Sequence, residues 1–144
     1  MATVPLLGDA EASVEARAVF DDIRAARGVP PNNFWRALAH DPAQLRAVWE
    51  DARRVMAPGA LDALTKELLY VAVSVANGCG YCVHSHTALA REKGMTAGMH
   101  AELLAVVAMA LRNNALATGL GVPVDERFEL AGVGAGGGEG DGAG

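Results

Sequence analysis

The sequence predicts an all-α, single-domain bundle of about six helices, in which a central antiparallel helix pair carries a Cys-x-x-Cys site. Apolar residues recur at helical spacing in successive segments. Segments rich in glycine, proline or asparagine separate them, and no stretch alternates apolar and polar residues with the period of two expected for a strand. The chain has 144 residues, 51% of them hydrophobic, which is enough for the core of one domain.

Three sequence features predict the helices: stripes of apolar residues, residues that can cap helix N-termini, and glycine, proline or asparagine residues that interrupt the helical pattern. Apolar stripes cover residues 16–26, 34–38 and 45–56, and longer helices are predicted over about 62–76, 80–93 and 97–116. Short polar residues that can cap the free N–H groups come first: Asp9 or Ser13, Asn32 or Asn33, Asp41, Asp62 and Thr96. The breaks contain Gly28, Pro58-Gly59, Asn77-Gly78 and Gly94. We expect the helical domain to cover residues 1–131 and the glycine-rich residues 132–144 to form a disordered tail.

Two apolar segments, residues 68–75 and 103–111, predict association of the chain with copies of itself. Both are apolar on most faces, and one small bundle could cover both only with difficulty, although wrapping by the bundle is the alternative. Both are also shorter than the about 20 residues that span a bilayer. With a net charge of −5, no basic stripe and no signal peptide pattern, we expect no nucleic acid or membrane partner and a cytoplasmic location.

Residues 79–86 (CGYCVHSH) hold both cysteines and two of the four histidines. A Cys-x-x-Cys pair binds metal or cycles between dithiol and disulfide. His86 follows Cys82 by four residues, so on a helix their Cβ atoms lie about 5–6 Å apart on one face. Glu67 is the nearest carboxylate upstream. We therefore predict a catalytic thiol site made of Glu67, Cys79, Cys82 and His86, with a base and a residue that orients the base.

The expected helix start at residues 79–80 favours a thiolate, because unpaired N–H groups and the helix dipole place partial positive charge there. We predict Cys82 as the nucleophile, since His86 can accept its proton, and Cys79 as its resolving partner. The break at Asn77-Gly78 lets the chain fold back, which offsets Glu67 and His86 by roughly one helical turn. A contact between these two side chains is then feasible.

Other interpretations of the same residues are open at this point. The cysteines could be two small buried apolar residues, and Glu67 could be a solvated helix residue. Cys79, Cys82 and His86, with His84 or Glu67, could also hold a zinc ion. Structural zinc sites usually draw a second ligand pair from a distant segment, and the sequence has none. We therefore favour a thiol site without a metal ion over a zinc site.

The spacing Glu67-x11-Cys79-x-x-Cys82-x3-His86 resembles the signature of alkylhydroperoxidase D-like proteins, which belong to the carboxymuconolactone decarboxylase superfamily. The flanking residues also resemble the peroxidase-related branch of that superfamily. They are residues 33–42 (NFWRALAHDP), 56–62 (MAPGALD) and 79–87 (CGYCVHSHT). The likeness covers about residues 30–116.

The resemblance implies an all-helical homo-oligomer, a trimer or a hexamer, with thiol peroxidase or disulfide reductase activity and no cofactor. Glu67 and His86 would relay a proton from Cys82, which attacks a small hydroperoxide and becomes a sulfenic acid. Cys79 would resolve it to a disulfide, which a dithiol or thioredoxin-like reductant would restore. The alternatives are a decarboxylase acting on a lactone, a role whose members generally lack the paired cysteines, and a non-enzymatic redox-sensing module.

Overall fold

The computed structural model describes residues 2–128, and these residues form six α-helices and no β-strand. The helices are α1 (Val14–Arg27), α2 (Asn33–Leu38), α3 (Pro42–Met56), α4 (Ala63–Ala76), α5 (Gly80–Glu92) and α6 (Ala97–Gly119). A short 3-10 helix, Glu126–Phe128, follows them. The predicted all-α class and the number of helices are confirmed.

Side-chain caps fix where the helices begin. Of the two caps considered for α1, Ser13 is the one used, and its Oγ accepts a hydrogen bond from the backbone N–H of Ala16. Asn32 caps α2, and Asp41 and Asp62 cap α3 and α4 as predicted. The predicted ends are less accurate, because α5 ends at Glu92 rather than residue 93 and α6 extends to Gly119 rather than residue 116.

Residues up to Thr96 form one compact unit, whose hydrophobic core lies between α1, α2 and α3. Trp35 and Trp49 meet edge to face in this core, with ring centroids 5.4 Å apart. An ion pair between Arg46 and Asp22 links α3 to α1 at the surface. The fully buried members with the largest side chains are Trp49, Phe20, Ile23, Leu45 and Val19.

Helices α4 and α5 form the predicted antiparallel pair. Gly78 makes the turn between them with a φ of 70°, a left-handed conformation that glycine adopts without steric cost. Next to the turn, the backbone N–H of Cys79 donates to the Ser74 carbonyl oxygen over 2.9 Å. Farther from the turn, Glu67 in the second turn of α4 contacts His86 in the second half of α5. The pair therefore runs antiparallel from the turn to Glu67.

Part of the apolar surface of α4 is not covered by the other helices of the unit that ends at Thr96. Leu69, Tyr70 and Val73 are 52%, 42% and 58% exposed. These three residues, which we call the α4 apolar face, lie within the predicted segment 68–75. Their exposure is the structural basis for the homo-oligomer proposed below.

Helix α6 belongs to a second unit, which begins at Ala97. It is a long helix with several exposed apolar residues, among them Val106 and Met109. No helix among residues 2–128 is both long enough and apolar enough to cross a membrane. The predicted tail, residues 132–144, lies outside the described residues, and the domain boundaries of 1–131 stay a prediction.

Candidate active site

The two cysteines lie at the first turn of α5 and are joined as a disulfide, with their Cα atoms 5.3 Å apart. Cys79 is the N-cap residue of the helix, and its Sγ accepts a hydrogen bond from the backbone N–H of Cys82 over 3.3 Å. The sequence placed the helix start correctly but did not identify Cys79 as its cap. Both sulfurs therefore lie at the positive end of the helix dipole.

Glu67 and His86 are in direct contact between α4 and α5. The Nδ1 atom of His86 lies 2.7 Å from Oε2 of Glu67, whose side chain is only 4% exposed. With Glu67 ionised, Nδ1 carries the hydrogen and donates it to the carboxylate. The free ring nitrogen is then Nε2, which is the atom able to accept a proton. The contact that the sequence made feasible is present, and Glu67 is buried rather than solvated.

Lys93 is a residue of this site that the sequence prediction missed. Its Nζ lies 3.0 Å from Oε1 of Glu67, so the carboxylate has a different partner on each oxygen. Lys93 comes seven residues after His86, two helical turns later, and this spacing already puts the two on one face of a helix. The spacing was the available signal, but only the packing of α5 on α4 points that face at Glu67.

Burial and these two partners act in opposite directions on Glu67. Burial raises the pKa of the Glu67 carboxyl group, whereas the hydrogen bonds from His86 and Lys93, and the positive charge of both, lower it. The balance leaves the pKa of Glu67 below its ordinary value, so the group is a carboxylate at neutral pH.

Tyr70 is the second residue that the prediction missed. Its ring stacks on the imidazole of His86, with centroids 3.5 Å apart and an interplanar angle of 15°. Tyr70 follows Glu67 by three residues and so lies on the same face of α4. The imidazole is held at one edge by the carboxylate and across one face by the phenol ring, which fixes its orientation.

Two cavities meet the cysteine pair. A cavity of about 520 Å³ between α3 and α4 reaches both Cys79 and Cys82, and its walls are mostly apolar side chains, including Val55, Leu61 and those of the α4 apolar face. A second cavity of about 480 Å³ is lined by Cys82 together with His86 and Glu67. Cys82 is thus accessible both from an apolar side and from the side of the imidazole.

Two neighbouring residues differ in how they relate to the site. His84 is exposed, and its Nδ1 lies 2.8 Å from the Gly80 carbonyl oxygen. Tyr81 is exposed, and its hydroxyl oxygen accepts a hydrogen bond from the backbone N–H of Phe34. It therefore ties the start of α5 to α2. Within residues 2–128, no three His, Cys, Asp or Glu side chains are grouped as metal ligands would be.

Comparisons with known proteins agree on one family. The model of the carboxymuconolactone decarboxylase family matches residues 42–125. The alkyl hydroperoxide reductase AhpD of Solibacter usitatus is 33% identical over 129 residues, covering 83% of this chain and 68% of that protein. A crystal structure of the alkylhydroperoxidase AhpD core from Rhodospirillum rubrum has 57% identity and a TM-score of 0.86, covering 91% of this chain and 99% of that one.

The curated relatives are longer than this chain. The AhpD of Anaeromyxobacter dehalogenans is 37% identical over 90 residues, but the match covers 56% of this chain and only 45% of that protein. The match to the AhpD of an Anaeromyxobacter species, strain K, covers 58% of that protein. The Rhodospirillum rubrum structure, by contrast, is matched over nearly its whole length.

Proposed function

The chain belongs to the carboxymuconolactone decarboxylase family, and we propose that it is a thiol peroxidase that reduces organic hydroperoxides through the Cys79–Cys82 pair. The observation that carries this proposal is the buried Glu67–His86 contact next to that pair. The names of its AhpD relatives support the same activity. A carboxylate, an imidazole and a redox-active cysteine pair are the parts that a thiol peroxidase needs.

The proposed proton relay begins at Cys82. Nε2 of His86 takes the proton of the Cys82 thiol, directly or through one water, while Nδ1–H remains bonded to Glu67. The Glu67 carboxylate orients the ring and stabilises the imidazolium that forms. General-base help of this kind typically raises a rate about 10²–10⁴-fold.

The redox steps then balance without a cofactor. The Cys82 thiolate attacks the outer oxygen of the hydroperoxide, the O–O bond breaks, and Cys82 becomes a sulfenic acid. The leaving alkoxide takes the proton held by His86 and departs as an alcohol. The Cys79 thiol attacks the sulfenic sulfur, which releases water and forms the disulfide. A dithiol donor reduces the disulfide through a mixed disulfide and is itself oxidised.

The cavities support an organic substrate. The apolar walls of the 520 Å³ cavity suit the alkyl or aryl group of a hydroperoxide, whose burial contributes about 0.8 kcal/mol per CH₂ group. Hydrogen peroxide gains nothing from these walls. A dithiol or thioredoxin-like protein is the proposed reductant, and a reducing cytoplasm is the proposed location, because the pair must return to the dithiol form.

A homo-oligomer is part of the same proposal, as a trimer or a hexamer. The α4 apolar face lines the cavity that reaches the cysteines and is itself exposed. A second copy that covers this face would bury apolar area and close the cavity toward solvent. We propose that the complete substrate cavity exists only in the assembly.

The test is consumption of cumene hydroperoxide, tert-butyl hydroperoxide and hydrogen peroxide by the purified protein, with dithiothreitol, dihydrolipoamide and thioredoxin as separate reductants. We expect turnover with at least one dithiol and a higher kcat/KM for the organic hydroperoxides. Metal content is measured on the same sample. Absence of turnover with every reductant, or one tightly bound zinc ion per chain, would refute the proposal in favour of a sensing or zinc-binding module.

Two cysteine variants assign the roles within the pair. Cys82→Ser should abolish turnover, because no thiolate remains beside His86. Cys79→Ser should allow a single oxidation that stops at a sulfenic acid, which a dimedone label detects by mass spectrometry. Labelling of Cys79 in Cys82→Ser at the rate seen for Cys82 in Cys79→Ser would reverse the two assignments.

A further inference from the structure

We infer that Lys93 is a positioning residue for the relay: its ammonium group keeps the buried Glu67 charged and so allows His86 to be without a proton when Cys82 must give one up. The inference rests on the proposed role of His86 as a base. It concerns a residue that lies outside the Glu67, Cys79, Cys82 and His86 set.

The geometry places two cationic partners on one carboxylate. Lys93 reaches Oε1 over 3.0 Å and His86 reaches Oε2 over 2.7 Å. Glu67 is 4% exposed at its side chain, while Lys93 is 33% exposed, so Lys93 covers the carboxylate from the solvent side. The backbone of Lys93 is fixed as well, since it is the C-cap residue of α5 and its N–H donates to the Leu89 and Ala90 carbonyl oxygens.

Charge balance makes the second cation necessary. A buried carboxylate without a counter-ion is strongly unfavourable, so removing one partner of a buried ion pair leaves an uncompensated charge. If His86 were the only partner of Glu67, loss of the Nε2 proton from the imidazolium would leave the Glu67 carboxylate without a counter-ion. The ring would therefore hold its second proton to a higher pH and would act as a base only above that pH. With Lys93 present, Glu67 remains paired whether His86 is protonated or neutral.

The other charged and titratable groups that line the cavities beside the cysteine pair and around Glu67 do not replace Lys93. Arg27 of α1 is the cation most similar to Lys93 in its position, because it lines a cavity together with Glu67 and its positive charge is attracted to the Glu67 carboxylate. No hydrogen bond joins Arg27 to Glu67 within residues 2–128. Arg27 instead lies over the rings of Trp35 and Trp49, at 5.5 and 5.2 Å. The remaining groups are Asp51 and Arg53 of α3, Lys66 and Tyr70 of α4, and Cys79, Cys82 and Glu92 at α5.

The experiment is the pH dependence of iodoacetamide alkylation of Cys82, measured in reduced protein that also carries Cys79→Ser. Lys93→Met should move the acidic limb of this profile to higher pH. A charge at this range shifts titrations by about one unit or more, so alkylation on the acidic limb should slow about tenfold. The rate near pH 9 should change little, because hydroxide then removes the proton without help.

Matched variants separate charge from packing. Lys93→Arg should restore the wild-type limb, and Arg91→Met, which removes an exposed cation from the same helix end, should leave it in place. Lys93→Gln offers a neutral hydrogen bond and should behave like Lys93→Met. In a Glu67→Gln background, Lys93→Met should have no further effect on the limb, because no buried charge is left to balance.

Titration of the His86 ring by NMR in the reduced protein gives a readout that needs no thiol chemistry. Loss of the ring proton should require a higher pH in Lys93→Met than in wild type. If both the NMR titration and the alkylation limb are unchanged while the melting temperature falls, Lys93 is structural only and the inference is wrong. If Lys93→Met does not fold, the same comparison is made with Lys93→Gln and with the Glu67→Gln/Lys93→Met pair.

These outcomes are distinguishable from failure of the proposed function. Peroxide turnover plays no part in either readout, so a protein without peroxidase activity would still report the link between Lys93 and His86. Conversely, turnover with an unchanged alkylation limb in Lys93→Met would leave the peroxidase proposal standing and remove the role of Lys93.

Discussion

The relay predicts that Glu67 assists Cys82 only through His86, and this can be tested with a double-mutant cycle. The cycle consists of Glu67→Gln, His86→Ala and the double variant, all in the Cys79→Ser background so that Cys82 is the only thiol. Glu67→Gln keeps the shape of the side chain and removes its charge. We expect it to slow alkylation of Cys82 at pH 7 in the presence of His86 and to have no effect in its absence.

The magnitude follows from the contact between Glu67 and His86. A hydrogen bond to a charged group contributes about 1.5–3 kcal/mol and a neutral one about 0.5–1.5 kcal/mol, and the 2.7 Å contact to a buried carboxylate is of the first kind. Replacing the charge should therefore cost about 1–1.5 kcal/mol, which corresponds to a roughly tenfold slower rate. His86→Ala removes the base itself and should cost about 10²–10⁴-fold.

The rates are measured as loss of free thiol with iodoacetamide at pH 7 and pH 9, with circular dichroism melts to confirm that each variant is folded. At pH 9 the variants should converge. The reasoning is refuted if Glu67→Gln slows Cys82 equally with and without His86, because Glu67 would then reach the thiol by another route. It is also refuted if His86→Ala makes Cys82 more reactive, as loss of a zinc ligand would.

Three further predictions concern stability and assembly. Because the pKa of Glu67 is lower in the folded protein than its ordinary value of 4.5, the carboxylate stabilises the fold at a pH above 4.5, and this contribution is lost as the pH falls through the lower folded pKa. The melting temperatures of wild type and Glu67→Gln should therefore converge in acid, and a difference that stays constant with pH would contradict this prediction. Asn32→Ala removes the cap of α2 and should lower the free energy of unfolding by about 0.5–2 kcal/mol in urea titrations, no change being the contrary result. Val73→Asp should reduce the proposed homo-oligomer to a 14.8 kDa species in sedimentation equilibrium, whereas Val14→Asp, on an exposed part of α1, should not; an unchanged mass for Val73→Asp would show that the α4 apolar face is not the interface.

The sequence was sufficient for several features that depend on neighbouring residues in the chain. Asp41 and Asp62 cap their helices as predicted, because capping needs only a short polar side chain next to the first free N–H groups. Gly78 makes the predicted turn for a similarly local reason. The break it creates was enough to predict that α4 and α5 run antiparallel.

The sequence was insufficient where a feature depends on how one helix is rotated against another. The sequence placed Glu67 and His86 within about one helical turn of each other. Predicting their direct hydrogen bond would also require knowing how each helix is oriented about its own axis. Lys93 and Tyr70 have the right spacings from His86 and Glu67, yet many side chains share such spacings without meeting. The packing of α5 on α4 selects these two from the others.

The hydrogen bond from the Cys82 amide to the sulfur of Cys79 couples the oxidation state of the pair to the local stability of α5. A thiolate is a stronger acceptor than a sulfur in a disulfide, so reduction should strengthen the bond that begins the helix at a pH high enough for Cys79 as well as Cys82 to lose its proton. Amide hydrogen exchange at Cys82 should then be slower in the reduced protein than in the oxidised one. A reductant or partner that binds at this end of α5 would therefore contact a first turn whose rigidity depends on whether the cysteine pair is reduced or oxidised.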